Sequence, residues 1–157
     1  MIEQIYTYFT VEMIFLWLNL GVLPFWLVLI IFPQSQICRV FITSVFPIFI
    51  LSLTYAYLLH LFFNEGYDFI RNFELYLGLD AISNLFTDKA FIILFWTHFL
   101  AMNLFCGGWI VKDSQKFGIN KILMSLPLLI TYLIGPIGLT IYWFIRIFYA
   151  KRINLYD

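Results

Sequence analysis

Four stretches of this chain, residues 13–38, 40–64, 90–111 and 122–145, contain no aspartate, glutamate, lysine or arginine. That pattern constrains the fold more than any other. A helix needs about 20 residues to cross a hydrocarbon core about 30 Å thick, and every run is at least that long. Charged residues make up 11% of the sequence, far below the roughly one quarter of a soluble domain. Exposed backbone cannot survive in lipid, so the runs must be helical. The expectation is an all-α fold: one domain over residues 1–157, an integral membrane bundle of four transmembrane helices near 11–32, 40–63, 90–111 and 122–147. Four crossings put both termini on one side.

The same pattern excludes other classes. Glu3 and Glu12 flank the first run where a secretory signal carries basic residues, and its apolar stretch is too long, so it is expected to stay in the mature protein. A formal net charge of +0 offers no basic footprint for nucleic acid. Cys38 and Cys106 form no CxxC pair and read as free thiols. No P-loop, GxGxxG or GxSxG is present.

The connections differ in kind. "PQSQICR" at 33–39 reads as a tight turn opened by Pro33, and "KDSQKFGIN" at 112–120 is short and polar with Gly118 as the breaker. The connection 64–89 is long. Within it Phe69, Phe73, Tyr76 and Leu77 follow i, i+4, i+7, i+8 spacing, which predicts a short amphipathic interfacial helix near 67–78, either a lid or a spacer anchored at the surface. Five basic residues on the terminal side and four opposite leave the orientation undecided.

In that topology Glu12, Asn19, Tyr55, Tyr57, His60, His98, Tyr142 and Arg146 fall in or near one leaflet. A polar group in hydrocarbon without a partner costs a few kcal/mol, so His98 and Asn103 are expected to face the bundle interior or a wet cavity. Interhelical hydrogen bonding would explain them equally well. An imidazole exchanges a proton near neutral pH, which makes His98 attractive for acid–base work. No recognised metal-ligand spacing occurs, and no metal is expected. "GPIG" at 135–138 suggests a kink and close helix contact, not a phosphate cradle; Pro24, Pro47 and Pro127 also fall within the runs.

The segments "LPFWLVLIIFP" at 23–33, "YAYLL" at 55–59, "WTHFLAMNLFCGGWIVKD" at 96–113 and "PLLITYLIGPIGLTIYWFIR" at 127–146 resemble the abscisic-acid-deficient-4-like family of four-helix membrane proteins, whose plant members are required for neoxanthin synthesis. The third segment is the most specific. Trp96, His98, Leu100, Ala101, Leu104, Phe105, Gly107 and Asp113 fit the family pattern, while Asn103 stands where the family has aspartate and keeps hydrogen bonding without ionisation.

The resemblance implies isomerisation of an epoxy-carotenoid: epoxide opening coupled to proton loss, with no redox cofactor. It implies His98 as the proton-handling group, Asn103 orienting, Tyr55 or Tyr57 donating, and Trp96 and Trp109 lining a polyene slot. Asn19, His60, Glu12 and Arg146 complete the candidate ligand contacts. The alternative is a non-catalytic module that binds a pigment, lipid or partner helices. Expected partners are membrane lipid and a carotenoid or isoprenoid-like molecule, with self-association open, in a bacterial inner membrane or an organelle membrane.

Overall fold

A computed structural model describes residues 9–151 and 153. The described residues are helical or irregular, with no strand among them. The helices are α1 (Val11–Ile31), α2 (Phe46–Asn64), α3 (Leu79–Leu85), α4 (Lys89–Lys116), α5 (Lys121–Leu133) and α6 (Gly135–Ala150). Three of them, α1, α2 and α4, are long and apolar enough to cross a membrane.

Local chemistry sets the helix ends. Asp88 Oδ1 accepts from the Ala90 amide at 2.9 Å and caps α4, and Asn120 Oδ1 does the same for Ile122 at the start of α5. Gly118, at φ +62°, turns the chain after α4 where a side chain would be strained, as its place in the sequence predicts.

Several expected boundaries are corrected. The second helix begins at Phe46, not near 40. A π-helical turn, Cys38–Ile42, comes first and ends at Thr43. Ser44 Oγ then accepts from the Phe46 amide at 3.1 Å, which leaves Pro47 in the first turn of α2, where its missing N–H costs nothing. The third helix runs on through the polar residues to Lys116.

Residues Phe69–Tyr76 form a 3₁₀ helix in place of the expected α-helix, with Asp68 Oδ1 accepting from the Ile70 amide at its start. At three residues per turn, Ile70, Phe73 and Tyr76 share an edge, and all three are exposed. Gly78, at φ +140°, resets the chain into α3, a helix the sequence pattern did not suggest.

The largest correction concerns the expected fourth span, which is two helices. Ile134, at φ −141° and ψ 81°, breaks the run. Pro136 gives the reason: in a continuous helix its nitrogen would have to donate to the Tyr132 carbonyl, and its ring would clash there. At the second position of α6 neither problem arises.

The chain divides into two compact units. Unit 1 comprises Met1–Leu20 and Ile50–Leu100. Its buried side chains include Ile14, Leu18, Leu58, Phe62 and Leu94, and the Phe86 ring meets Phe91 and Phe95 edge-on at 5.2 and 4.9 Å.

Unit 2 comprises Gly21–Phe49 and Ala101–Asp157. Lipid drives helices together only weakly, so close approach at small residues matters there. Gly107 supplies one such approach. A Cβ at that position would lie 2.8 Å from the Trp26 ring, which itself packs edge-on against Tyr132 at 5.4 Å.

Candidate functional site

Within unit 2, α5 and α6 pack against each other and fold back along the second half of α4. A Cβ on Gly138 would meet the Thr131 backbone nitrogen and hydroxyl and the Pro127 carbonyl oxygen, so only glycine allows the arms to approach this closely. Thr131 donates its hydroxyl to that Pro127 carbonyl at 2.7 Å, so this buried polar group is satisfied inside the hairpin.

The open ends of the hairpin lie against adjacent residues of α4. Ser114 Oγ contacts Met124 Sδ of α5 at 2.6 Å, and Asp113 binds two residues of α6. At the tip, a Cβ on Gly135 would collide with the Asn103 side chain. Asn103 is 6% exposed, and its Nδ2 has no hydrogen-bond partner.

Asp113 is the centre of the one ion pair with both side chains buried among the described residues. Its Oδ2 accepts from Arg146 Nε and from the Tyr142 hydroxyl, both at 2.7 Å. The guanidinium also lies over the Phe117 ring, 4.9 Å from its centre. An ion pair out of water is stable only when hydrogen bonds saturate it, and the tyrosine supplies one of them. Trp109, one turn before Asp113, packs perpendicular to Tyr142 at 5.7 Å.

On the other side of that α4 turn lies an open, mostly apolar groove of about 340 Å³. Ile42, Thr43, Ser44, Val45 and Ile48 form one wall; Leu104, Phe105, Gly108, Trp109 and Lys112 form the other. Gly108 leaves it open, since a Cβ there would find only the Thr43 backbone, 4.0 Å away. The Lys112 cation and the Thr43 and Ser44 hydroxyls are the polar groups along it. Cys38, close by in sequence, is a buried free thiol that desolvation pushes up to about 11.

Unit 1 holds other members of the expected site. Trp96 Nε1 donates to Asn19 Oδ1 at 3.2 Å, and Asn19 Nδ2 donates to the Phe15 carbonyl at 2.7 Å, a tie between α1 and α4. Lys89 pairs with Glu12 at 3.1 Å, both side chains exposed. His60 is exposed and shares a 3.1 Å hydrogen bond with Asn64. Tyr55 is half-buried; Tyr57 is exposed, with its ring edge-on to Phe9.

Two expectations about this set are corrected. His98 does not turn inward: it is exposed on α4 with no hydrogen-bond partner among the described residues, and the buried position is its neighbour Thr97. The register of α4 explains this, because Ile93, Leu94, Thr97 and Leu100 occupy the i, i+1, i+4, i+7 face that packs. Arg146 and Tyr142 are bonded to Asp113 near the C-terminal end of α4, because the break at Ile134 reverses the chain. By unit, His98, Trp96, Tyr55, Tyr57, Asn19, His60 and Glu12 belong to unit 1, and Asn103, Trp109 and Arg146 to unit 2. Asn103 does face inward.

Residues that sequence reasoning left without a role are Asp113 and Tyr142. The available signal was charge: Arg146 closes a charge-free run, and Asp113 is the acid at the end of the preceding one. Among the described residues no group of three or more His, Cys, Asp or Glu could hold a metal ion.

The description ABA DEFICIENT 4-like matches residues 13–142, which include the whole wall from Leu104 to Lys112, the buried acid and its tyrosine. The chain belongs to the ABA DEFICIENT 4-like family. A curated relative is Protein ABA DEFICIENT 4, chloroplastic, of Arabidopsis thaliana, 25% identical over 122 residues. The match takes in 76% of this chain and 54% of that protein, so the chain spans about half the length of its curated relative. No solved structure matches the chain. The family match starts inside α1 and ends at Tyr142, four residues short of Arg146.

Proposed function

We propose that this protein is a multi-pass membrane protein that takes an epoxy-carotenoid, or a related isoprenoid lipid, into the unit 2 groove and isomerises it by acid–base chemistry. The observation that carries the reading is the groove itself. One of its walls, Leu104 to Lys112, lies inside the family segment 96–113 and includes the pattern residues Leu104 and Phe105, and an apolar slot with one indole and a few polar groups suits a long polyene with oxygenated ends. The relative's name places that protein in the chloroplast, which favours an organelle membrane for this one.

The reaction needs an acid at the epoxide oxygen and a base at the departing proton; the oxygen ends as a hydroxyl, one C–H proton is lost, and no electrons are exchanged. His98, presented outward, would meet a substrate arriving through lipid. Asn103, where the family has aspartate, is buried against Gly135 at the hairpin tip and does not line the groove, so it would act on a ligand only by positioning α4.

The outward, unpartnered position of His98 also favours a second reading, a non-catalytic binding module. Purified protein in nanodiscs, incubated with a panel of carotenoids and followed by chromatography, separates the two. The enzyme reading expects a product of unchanged mass that disappears in His98→Ala while pigment retention persists. Retention without product in the unaltered protein supports the binding module. Gly108→Leu, which fills the groove, is expected to lower retention at least tenfold; unaltered retention overturns both readings.

A further inference from the structure

We propose that α5 and α6 form a re-entrant hairpin that enters and leaves the membrane on one side, so that the chain crosses three times instead of four. Neither arm is long enough to cross. At 1.5 Å per residue, the 13 residues of α5 span about 20 Å and the 16 of α6 about 24 Å, against a core of about 30 Å.

Contacts inside unit 2 fix the direction of both arms. Met124, near the start of α5, touches Ser114; Arg146, near the end of α6, binds Asp113; the tip at Gly135 lies on Asn103. Asn103 is within a residue of the midpoint of α4, so the tip reaches about half the depth of that crossing helix. There it brings the first turn of α6 against the unpartnered Asn103 amide. At the tip Gly135 is buried, the exposed side chains of Leu133, Ile134 and Ile137 are apolar, and the Ile134 carbonyl accepts from the Ile137 and Gly138 amides, so backbone polarity at mid-depth is paired within the protein.

The charges supply independent support. In a four-crossing chain the basic residues divide five to four. With the hairpin re-entrant, Arg39, Lys112, Lys116, Lys121, Arg146, Lys151 and Arg152 share one side, leaving Arg71 and Lys89 on the other. The acids divide in the opposite sense, Asp113 and Asp157 against Glu3, Glu12, Glu65, Asp68, Glu74, Asp80 and Asp88. Seven to two is a decisive bias, and it assigns the seven to the side that is not translocated during insertion.

Single cysteines test this in a background of Cys38→Ala and Cys106→Ala. Gln36→Cys reports the α1–α2 connection, Ser83→Cys the α2–α4 connection and Ile153→Cys the end of the chain; all three positions are exposed. Sealed membranes are treated with a membrane-impermeant maleimide before and after permeabilisation. The expected result is that positions 36 and 153 respond alike, both on the non-translocated side, and 83 responds oppositely. Position 153 labelling with 83, or from both sides, overturns the proposal. A reporter fused after Asp157 gives the same reading with no change inside the chain.

Discussion

Units 1 and 2 carry nine charged residues each and use them in opposite ways. Unit 1 is acidic, seven acids to two bases; unit 2 is the mirror image, seven bases to two acids. Among the described residues of unit 1 the ion pairs are at the surface: Lys89 with Glu12 at 3.1 Å, Arg71 with Asp88 and Glu74 at 3.8 and 3.9 Å, on side chains between 29% and 82% exposed. In unit 2 the Asp113–Arg146 pair is 8% and 2% exposed and is shared with a tyrosine. Burial, not the number of charges, decides which pairs anchor structure. A surface pair is worth little because water and salt screen it, whereas breaking a buried one strands an ion.

The contrast can be broken most forcefully at Asp113. Asp113→Ala leaves Arg146 buried without its counter-ion, and the expected loss is about 3–5 kcal/mol in detergent unfolding. Coupling Asp113→Leu with Arg146→Met should recover most of it, because replacing both ions removes the stranded charge. If the double variant is as unstable as the single one, charge stranding is not the cause.

Gly138→Ala comes next. Its new methyl group would push on the Thr131 and Pro127 backbone, for an overpacking cost of about 1–3 kcal/mol. Gly21→Ala, with nothing within 4 Å, serves as the comparison and should stay within about 1 kcal/mol of the parent. Equal melting of the two would show that the hairpin arms are not in close contact. In unit 1, Trp96→Phe removes the hydrogen bond to Asn19 and should cost about 0.6–1.7 kcal/mol, the range of interhelical hydrogen bonds in membranes. The smallest effect is expected for Lys89→Ala, whose melting temperature should match the parent; a clear drop would contradict the contrast between surface and buried pairs.

Much of this architecture was legible in the sequence. Charge-free runs located α1, α2 and α4 because lipid tolerates few charges, and Gly118 marked a turn because only glycine takes its φ without strain. The family segment 96–113 pointed to the groove wall. What was not legible follows from one short-range event. An apolar run of crossing length does not say whether it is straight, and Pro136 read as a kink until the contacts of Gly135 and Gly138 showed a complete reversal. The reversal brings Tyr142 and Arg146 to Asp113, a pairing that a straight fourth span would not give. The orientation of His98 was hidden for a different reason: in lipid both faces of a helix are apolar, so periodicity does not reveal which face packs.

The reversal at Ile134 is the most direct point of test. Spin labels on Lys121→Cys and Ala150→Cys, in the Cys38→Ala, Cys106→Ala background, report the separation of the outer ends of α5 and α6 by pulsed electron resonance. The fold-back predicts a distance of about 10–20 Å, one to two helix diameters, whereas a continuous helix over the same residues would give about 43 Å and contradict it.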